Sequence, residues 1–102
     1  MEQFGISEAK VARLHSVFAL FPEIEQVVIY GSRAKGNYSA FSDVDITLKG
    51  SMLTPTILTK LVFIIDDLLL PYEFDISIYQ DIKNPDVIDH IDRVGQILYS
   101  KL

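Results

Sequence analysis

Four prolines, at positions 22, 55, 71 and 85, limit the length of every element this chain can form. Proline has no backbone N–H, so it is excluded from helix interiors and central strands and is tolerated in a first helical turn. Pro55 and Pro85 each follow a helix-capping side chain, Thr54 and Asn84, and so mark two helix starts. Pro22 and Pro71 instead close apolar runs at helical spacing. Val11, Leu14, Phe18 and Phe21 precede the first, after a cap at Ser7; Leu58, Leu61, Val62, Ile65, Leu68 and Leu69 precede the second. The intervening segments carry the two-residue period of strands. Val27 to Tyr30 is a short apolar strand stopped by Gly31. Val44, Ile46 and Leu48 alternate with Asp43, Asp45 and Thr47, and Phe74, Ile76 and Ile78 alternate with Glu73, Asp75, Ser77 and Tyr79. Val87, Ile91, Val94 and Leu98 form the apolar face of a last helix, with Asp86 in its first turn. This order predicts an α/β (α+β) fold. A small mixed sheet of about three strands carries packed helices, in one domain spanning residues 1–102.

Charge and composition remove several function classes. The net charge of −5 is confined to the last third: residues 1–65 are balanced, and residues 66–102 hold eight acidic and three basic side chains. A nucleic-acid partner is not expected, because a phosphate-gripping surface needs clustered excess Lys and Arg. The chain has no cysteine, which excludes disulfides, thiolate metal sites and cysteine nucleophiles. Its longest apolar run, Leu61 to Leu70, is interrupted by Asp66-Asp67 and is too short to span a bilayer. Met1-Glu2-Gln3-Phe4 lacks the basic and apolar regions of a signal peptide. The expectation is a cytoplasmic domain with no membrane partner.

The stretch that carries chemistry runs from Gly31 to Ile46. Asp43 and Asp45 are two apart in a strand and share a face, while Val44 and Ile46 point to the core. Neighbouring carboxylates repel, and each raises the other's pKa unless a cation sits between them. An all-oxygen set of this kind suits Mg²⁺, which takes one or two carboxylates together with substrate phosphates and water. Asp75 lies on the polar face of the next strand and joins the pair if the two strands are neighbours. Gly31 directly follows a strand, so the chain can turn sharply and let a phosphate approach the backbone. Ser32 offers a hydroxyl, the amides after it offer donors, and Arg33 and Lys35 add two cations. A triphosphate with Mg²⁺ would meet donors on one side and carboxylates on the other, as phosphoryl or nucleotidyl transfer requires.

Gly31-Ser32, ten intervening residues and then Asp43-Val44-Asp45 resemble the signature of the DNA-polymerase-β-type nucleotidyltransferase superfamily. The fuller pattern, with Arg33, Ala34, Gly36 and Ser42, resembles its smallest branch, the MNT (minimal nucleotidyltransferase) domains. Ile91 to Tyr99 resembles the end of such a domain, and the likeness covers about residues 8–100. The resemblance implies a Mg²⁺-dependent transferase that uses ATP and releases pyrophosphate. Asp43 and Asp45 would hold two Mg²⁺ ions, with Asp75 completing the acidic set and helping to activate an acceptor hydroxyl. Gly31, Ser32, Arg33, Gly36 and Ser42 would lie on the nucleotide side, Ser42 also shaping the turn before Asp43. The resemblance also implies a HEPN-domain partner: such proteins are antitoxins of toxin–antitoxin pairs, and some add AMP to a tyrosine of the toxin. Two alternatives stay open. One is an antitoxin that neutralises by binding alone. The other is the catalytic subunit of a transferase for a small molecule of the aminoglycoside kind.

The remaining polar and aromatic residues read more plainly. His15 and His90 have no partner at metal or triad spacing and are expected to be structural. Tyr38 and Phe41 could stack on a base, though an ordinary structural role is the expectation for both. Phe63 falls on the polar side of the third helical pattern, among Thr56, Thr59, Lys60 and Asp67, which assigns it to a homodimer or hetero-oligomer interface. Phe63→Ser is expected to weaken assembly in size-exclusion chromatography. An unchanged elution profile would contradict that assignment.

Overall fold

The computed structural model describes residues 2–101. Helix α1 (Glu8–Phe18) opens at Ser7, whose side chain accepts from the Lys10 amide. Strand β1 (Gln26–Tyr30) leads into a four-residue helix, α2 (Ser32–Lys35), and a polar loop reaches β2 (Val44–Lys49). Helix α3 (Pro55–Asp67) starts with Thr54 as cap and Pro55 in its first turn. Strand β3 (Phe74–Ile78), a short 3₁₀ turn (Tyr79–Asp81), helix α4 (Pro85–Val94) and strand β4 (Gln96–Ser100) complete the order.

The sheet runs β3-β2-β1-β4. β1 is antiparallel to both β2 and β4, and β2 is parallel to β3. Alternation divides each strand between two faces. Val27, Ile29, Val44, Ile46, Leu48 and Ile78 face the main core with Leu14, Phe18, Leu61 and Ile65 of α1 and α3. The other face carries Tyr30, Asp45, Thr47, Asp75 and Ser77. Helix α4 packs against β1, with Val28 and Ile91 buried outside the main core. The site is therefore on the sheet face away from α1 and α3, where α4 leaves part of the polar surface open.

The mixed α/β sheet is as expected, with four strands rather than three. The fourth comes from the end of the expected last helix. That helix stops at Val94, and Leu98 is a core residue of β4 rather than of a helical face. The reason lies at Gly95, which leaves the helix with φ −61° and ψ 144°. A Cβ there would collide with the Ile91 carbonyl oxygen and lie 2.7 Å from Val28 Cγ1. Only glycine lets α4 and β1 approach this closely while the chain turns into a strand. Two helix ends also move inward. α1 ends before Phe21, which packs on the core from the following turn. α3 ends at Asp67, and Leu69 takes a positive φ of 54° and is 88% exposed instead of joining the stripe. Phe63 is exposed. Among the described residues no helix is long and apolar enough to cross a membrane.

Gly95→Ala tests this junction. The added methyl should overpack the contact with Val28 and destabilise the fold by about 1–3 kcal/mol. Urea unfolding with a midpoint equal to the parent's would contradict it.

Candidate active site

The parallel register of β2 and β3 brings the chemistry together. Asp45 is paired with Asp75 and Thr47 with Ser77, so like residues stand side by side on the polar face. The lower rung is tied: Ser77 Oγ donates to Thr47 Oγ1 at 3.0 Å, which holds the two strands in this register. The upper rung has no such tie, because two carboxylates can only accept. Burial, then the Asp75 and Asp43 carboxylates, push the Asp45 carboxyl above its ordinary range, with His90 acting in the opposite sense. Tyr30 is paired with Asp45 from the β1 side. Its phenol is raised chiefly by burial and also by Asp75 and Asp45, against a lowering hydrogen bond from Ser77.

A pocket of about 400 Å³ opens here, lined by Tyr30, Gly31, Asp45, Asp75, Asp86, Val87 and His90. Gly31 has φ 73° and ψ −155°, and a Cβ on it would lie 2.5 Å from Asp45 Oδ2. A side chain at position 31 would thus occupy the space of the carboxylate. Of the residues anticipated from sequence, the pocket wall unites Gly31, Asp45 and Asp75. Asp43 is exposed and directly precedes β2, so it adds charge from the rim. Ser32 is half-buried at the start of α2, and Gly36 closes α2 in a left-handed turn at φ 86°.

Arg33 stands differently from its expected place beside a nucleotide. It is 2% exposed and points inward. Its Nε and Nη2 both donate to the Ser42 carbonyl, at 3.1 and 2.9 Å, and Nη1 donates to the Phe4 carbonyl at 2.9 Å. Tyr38 and Tyr72 hold the guanidinium between them, 5.3 and 4.9 Å from the ring centroids. Such a buried cation, spent on backbone carbonyls and aromatic faces, sets structure rather than binding a phosphate. Ser42 acts likewise. Its carbonyl receives Arg33 and its hydroxyl accepts from the Ser39 amide at 2.9 Å, so it shapes the turn before Asp43. Lys35 is exposed.

His90 and Asp86 were missed as site residues. They are four apart on α4, one turn above the other, and the only usable signal was that spacing. Which sheet face α4 covers depends on tertiary packing. His15 is structural: its Nε2 meets the Leu98 carbonyl at 2.6 Å and its ring stands edge-on to Tyr99.

The donor set fits a hard cation. Asp43, Asp45 and Asp75 supply only carboxylate oxygens, and the unrelieved Asp45–Asp75 pair is the arrangement a divalent ion stabilises. Among the described residues no three His, Cys, Asp or Glu side chains are drawn together closely enough to hold an ion by themselves.

Comparison with known proteins places this geometry in a family. The family model for polymerase beta nucleotidyltransferases matches residues 12–102. The chain therefore belongs to the polymerase-beta nucleotidyltransferase family, and the site lies in a nucleotidyltransferase domain. Its fold is that of solved MNT antitoxins. A toxin–antitoxin crystallised with AMP-PNP aligns with TM-score 0.69 and 18% identity, over 94% of this chain and 75% of the other. An MNT antitoxin in complex with the tri-AMPylated HEPN toxin of Shewanella oneidensis aligns with TM-score 0.61 and 16% identity, over 92% and 70%. A nucleotidyltransferase-like protein from Sulfolobus solfataricus aligns with TM-score 0.54 and 20% identity, over 90% and 79%. No curated protein matches the chain significantly.

The raised Asp45 carboxyl, pushed up first by burial and then by Asp75 and Asp43, has a thermodynamic signature. A raised Asp45 pKa means the folded chain holds that proton more tightly than the unfolded chain. Stability then falls as pH rises from the unfolded pKa through the folded one, and the full cost of burying the charged carboxylate beside Asp75 persists at neutral pH. Asp45→Asn should raise the melting temperature at pH 7 in metal-free buffer, with the gain shrinking on acidification. A variant melting below the parent at pH 7 would contradict this.

Proposed function

We propose that the protein is a Mg²⁺-dependent nucleotidyltransferase that moves AMP from ATP to a hydroxyl, the acceptor being a tyrosine of a HEPN-domain toxin. In this reading it is the cytoplasmic antitoxin of that pair, and residues 1–102 form the catalytic domain. The observation that carries the proposal is the meeting of Asp45, Asp75 and Gly31 in one pocket, at the positions of the family's signature. The names of the solved relatives support its particulars: one toxin–antitoxin was crystallised with AMP-PNP and one HEPN toxin is AMPylated.

Each residue then has a task. Gly31 leaves room for the Asp45 carboxylate beside the turn, and Ser32 offers its hydroxyl and amide. Gly36 and Ser42 shape the loop that returns the chain to Asp43. Asp43 and Asp45 would hold two Mg²⁺ ions, with Asp75 beside them. The bound metal would neutralise triphosphate charge and polarise the α-phosphorus. Asp75, at the exposed edge of the pair, would take the acceptor's proton. The acceptor oxygen forms its bond to the α-phosphorus as the bond to the β-phosphate oxygen breaks, and pyrophosphate leaves with that electron pair. Neutralisation by binding alone is the second reading. The exposed Phe63, with Leu20, Met52 and Ile97, offers apolar surface for a partner.

The two readings separate on one double variant. Asp43→Asn with Asp45→Asn should abolish protection of cells that express the partner toxin, while the variant still co-purifies with it. AMP transfer should fall by at least about a hundredfold, as expected when charge-stabilising groups are removed from a transfer site. Full protection by the double variant would contradict the enzymatic reading.

A further inference from the structure

Helix α4 reaches into the site with a side chain that the family signature does not contain. His90 stands edge-on to Tyr30, with ring centroids 6.1 Å apart and planes at 78°. This contact aims Nε2 at the turn after β1, where it accepts from the Gly31 amide at 3.2 Å. As the acceptor in this bond, Nε2 turns its lone pair toward the Gly31 amide. The bond also fills a gap in the sheet's hydrogen bonding. Gly31 follows the last residue of β1, and its φ of 73° takes it out of the ladder. Among the described residues, His90 supplies the acceptor that no neighbouring strand gives this amide.

We propose that His90 is a positioning residue for the nucleotide. Its imidazole pins the Gly31 amide from α4, so that the Gly31–Ser32 turn and the space beside Asp45 are set before the substrate arrives. The inference rests on the reading of that turn as nucleotide-holding. The link is specific in three ways. Gly31 tolerates no side chain here, because Asp45 Oδ2 lies 2.5 Å from where its Cβ would be. α4 cannot withdraw freely, because Ile91, the next residue, is buried. The turn's other end is anchored where the Lys35 amide donates to the Gly31 carbonyl at 3.1 Å. The amide of Gly31 is therefore held on one side of the pocket while its missing side chain leaves the other side to the carboxylate.

The test uses the full chain with two substitutions. His90→Leu removes the acceptor, and His90→Gln restores one, because the glutamine Oε1 takes the place of Nε2. In the parent, ring ¹⁵N shifts should report an unprotonated Nε2, and the Gly31 amide should exchange slowly with solvent. His90→Leu should speed that exchange and weaken AMP-PNP binding by about tenfold, the worth of one hydrogen bond near 1.4 kcal/mol. His90→Gln should recover most of both. A protonated Nε2, unchanged Gly31 exchange in His90→Leu, or equal weakening by both variants would overturn the proposal. Should His90→Leu fail to fold, the parent's ring shifts and the binding of His90→Gln decide it. A parent that binds no AMP-PNP would overturn the nucleotidyltransferase reading and the nucleotide role of His90 with it. Slow Gly31 exchange would in that case show the hydrogen bond alone.

Discussion

The side-by-side placement of Asp45 and Asp75 is the constraint around which the rest of the molecule is arranged. It follows from one register: β2 and β3 run parallel, with residue 45 beside residue 75 and residue 47 beside residue 77. Hydrophobic alternation enforces that register. A slip of one residue would send Val44, Ile46 and Leu48 to the polar face and the carboxylates into the core. The large apolar burial of the sheet thus offsets a small, localised repulsion. Gly31 extends the same logic, since its missing side chain leaves the space that Asp45 occupies.

Around this pair the motif divides into residues that line the pocket and residues that hold the chain about it. Arg33 belongs to the second group. Its buried guanidinium ties the amino-terminal turn at Phe4 to the Ser42 carbonyl, one residue before Asp43. A positive charge so deep in a small domain is tolerable because three N–H groups have acceptors and two aromatic faces flank it. No buried side-chain polar atom among the described residues lacks a partner. Asp43 and Asp75 stay exposed, and Asp45 is half-buried in the pocket wall.

Much of this was legible in the sequence because the signals were local. Caps followed by proline placed the starts of α3 and α4, and alternation placed β2 and β3 with their faces correctly assigned. The Gly31–Ser32 and Asp43–Asp45 spacing pointed to the stretch from which Gly31 and Asp45 enter the pocket. The unread parts are those decided by contacts distant in sequence. Leu98 fits a helical stripe as well as a strand, and only the close approach of Gly95 to Val28 makes it a strand residue. Arg33 has the look of a phosphate ligand until its partners Phe4, Ser42, Tyr38 and Tyr72 are seen to surround it. His90 has no motif at all. It enters the site because α4 crosses the sheet face opposite α1 and α3, and no periodicity specifies that choice.

Family membership, the acidic pair and the glycine turn converge on transfer of a nucleotide's α-phosphoryl group, and the isotope carried by the product tests this most directly. The purified protein would be incubated with Mg²⁺, the HEPN-domain toxin proposed as its partner and ATP labelled at either the α- or the γ-phosphorus. The chemistry described here predicts that α-label becomes covalently attached to the partner and that γ-label leaves entirely as pyrophosphate. Attachment of γ-label, or of neither label under conditions where the partner is neutralised, would contradict it.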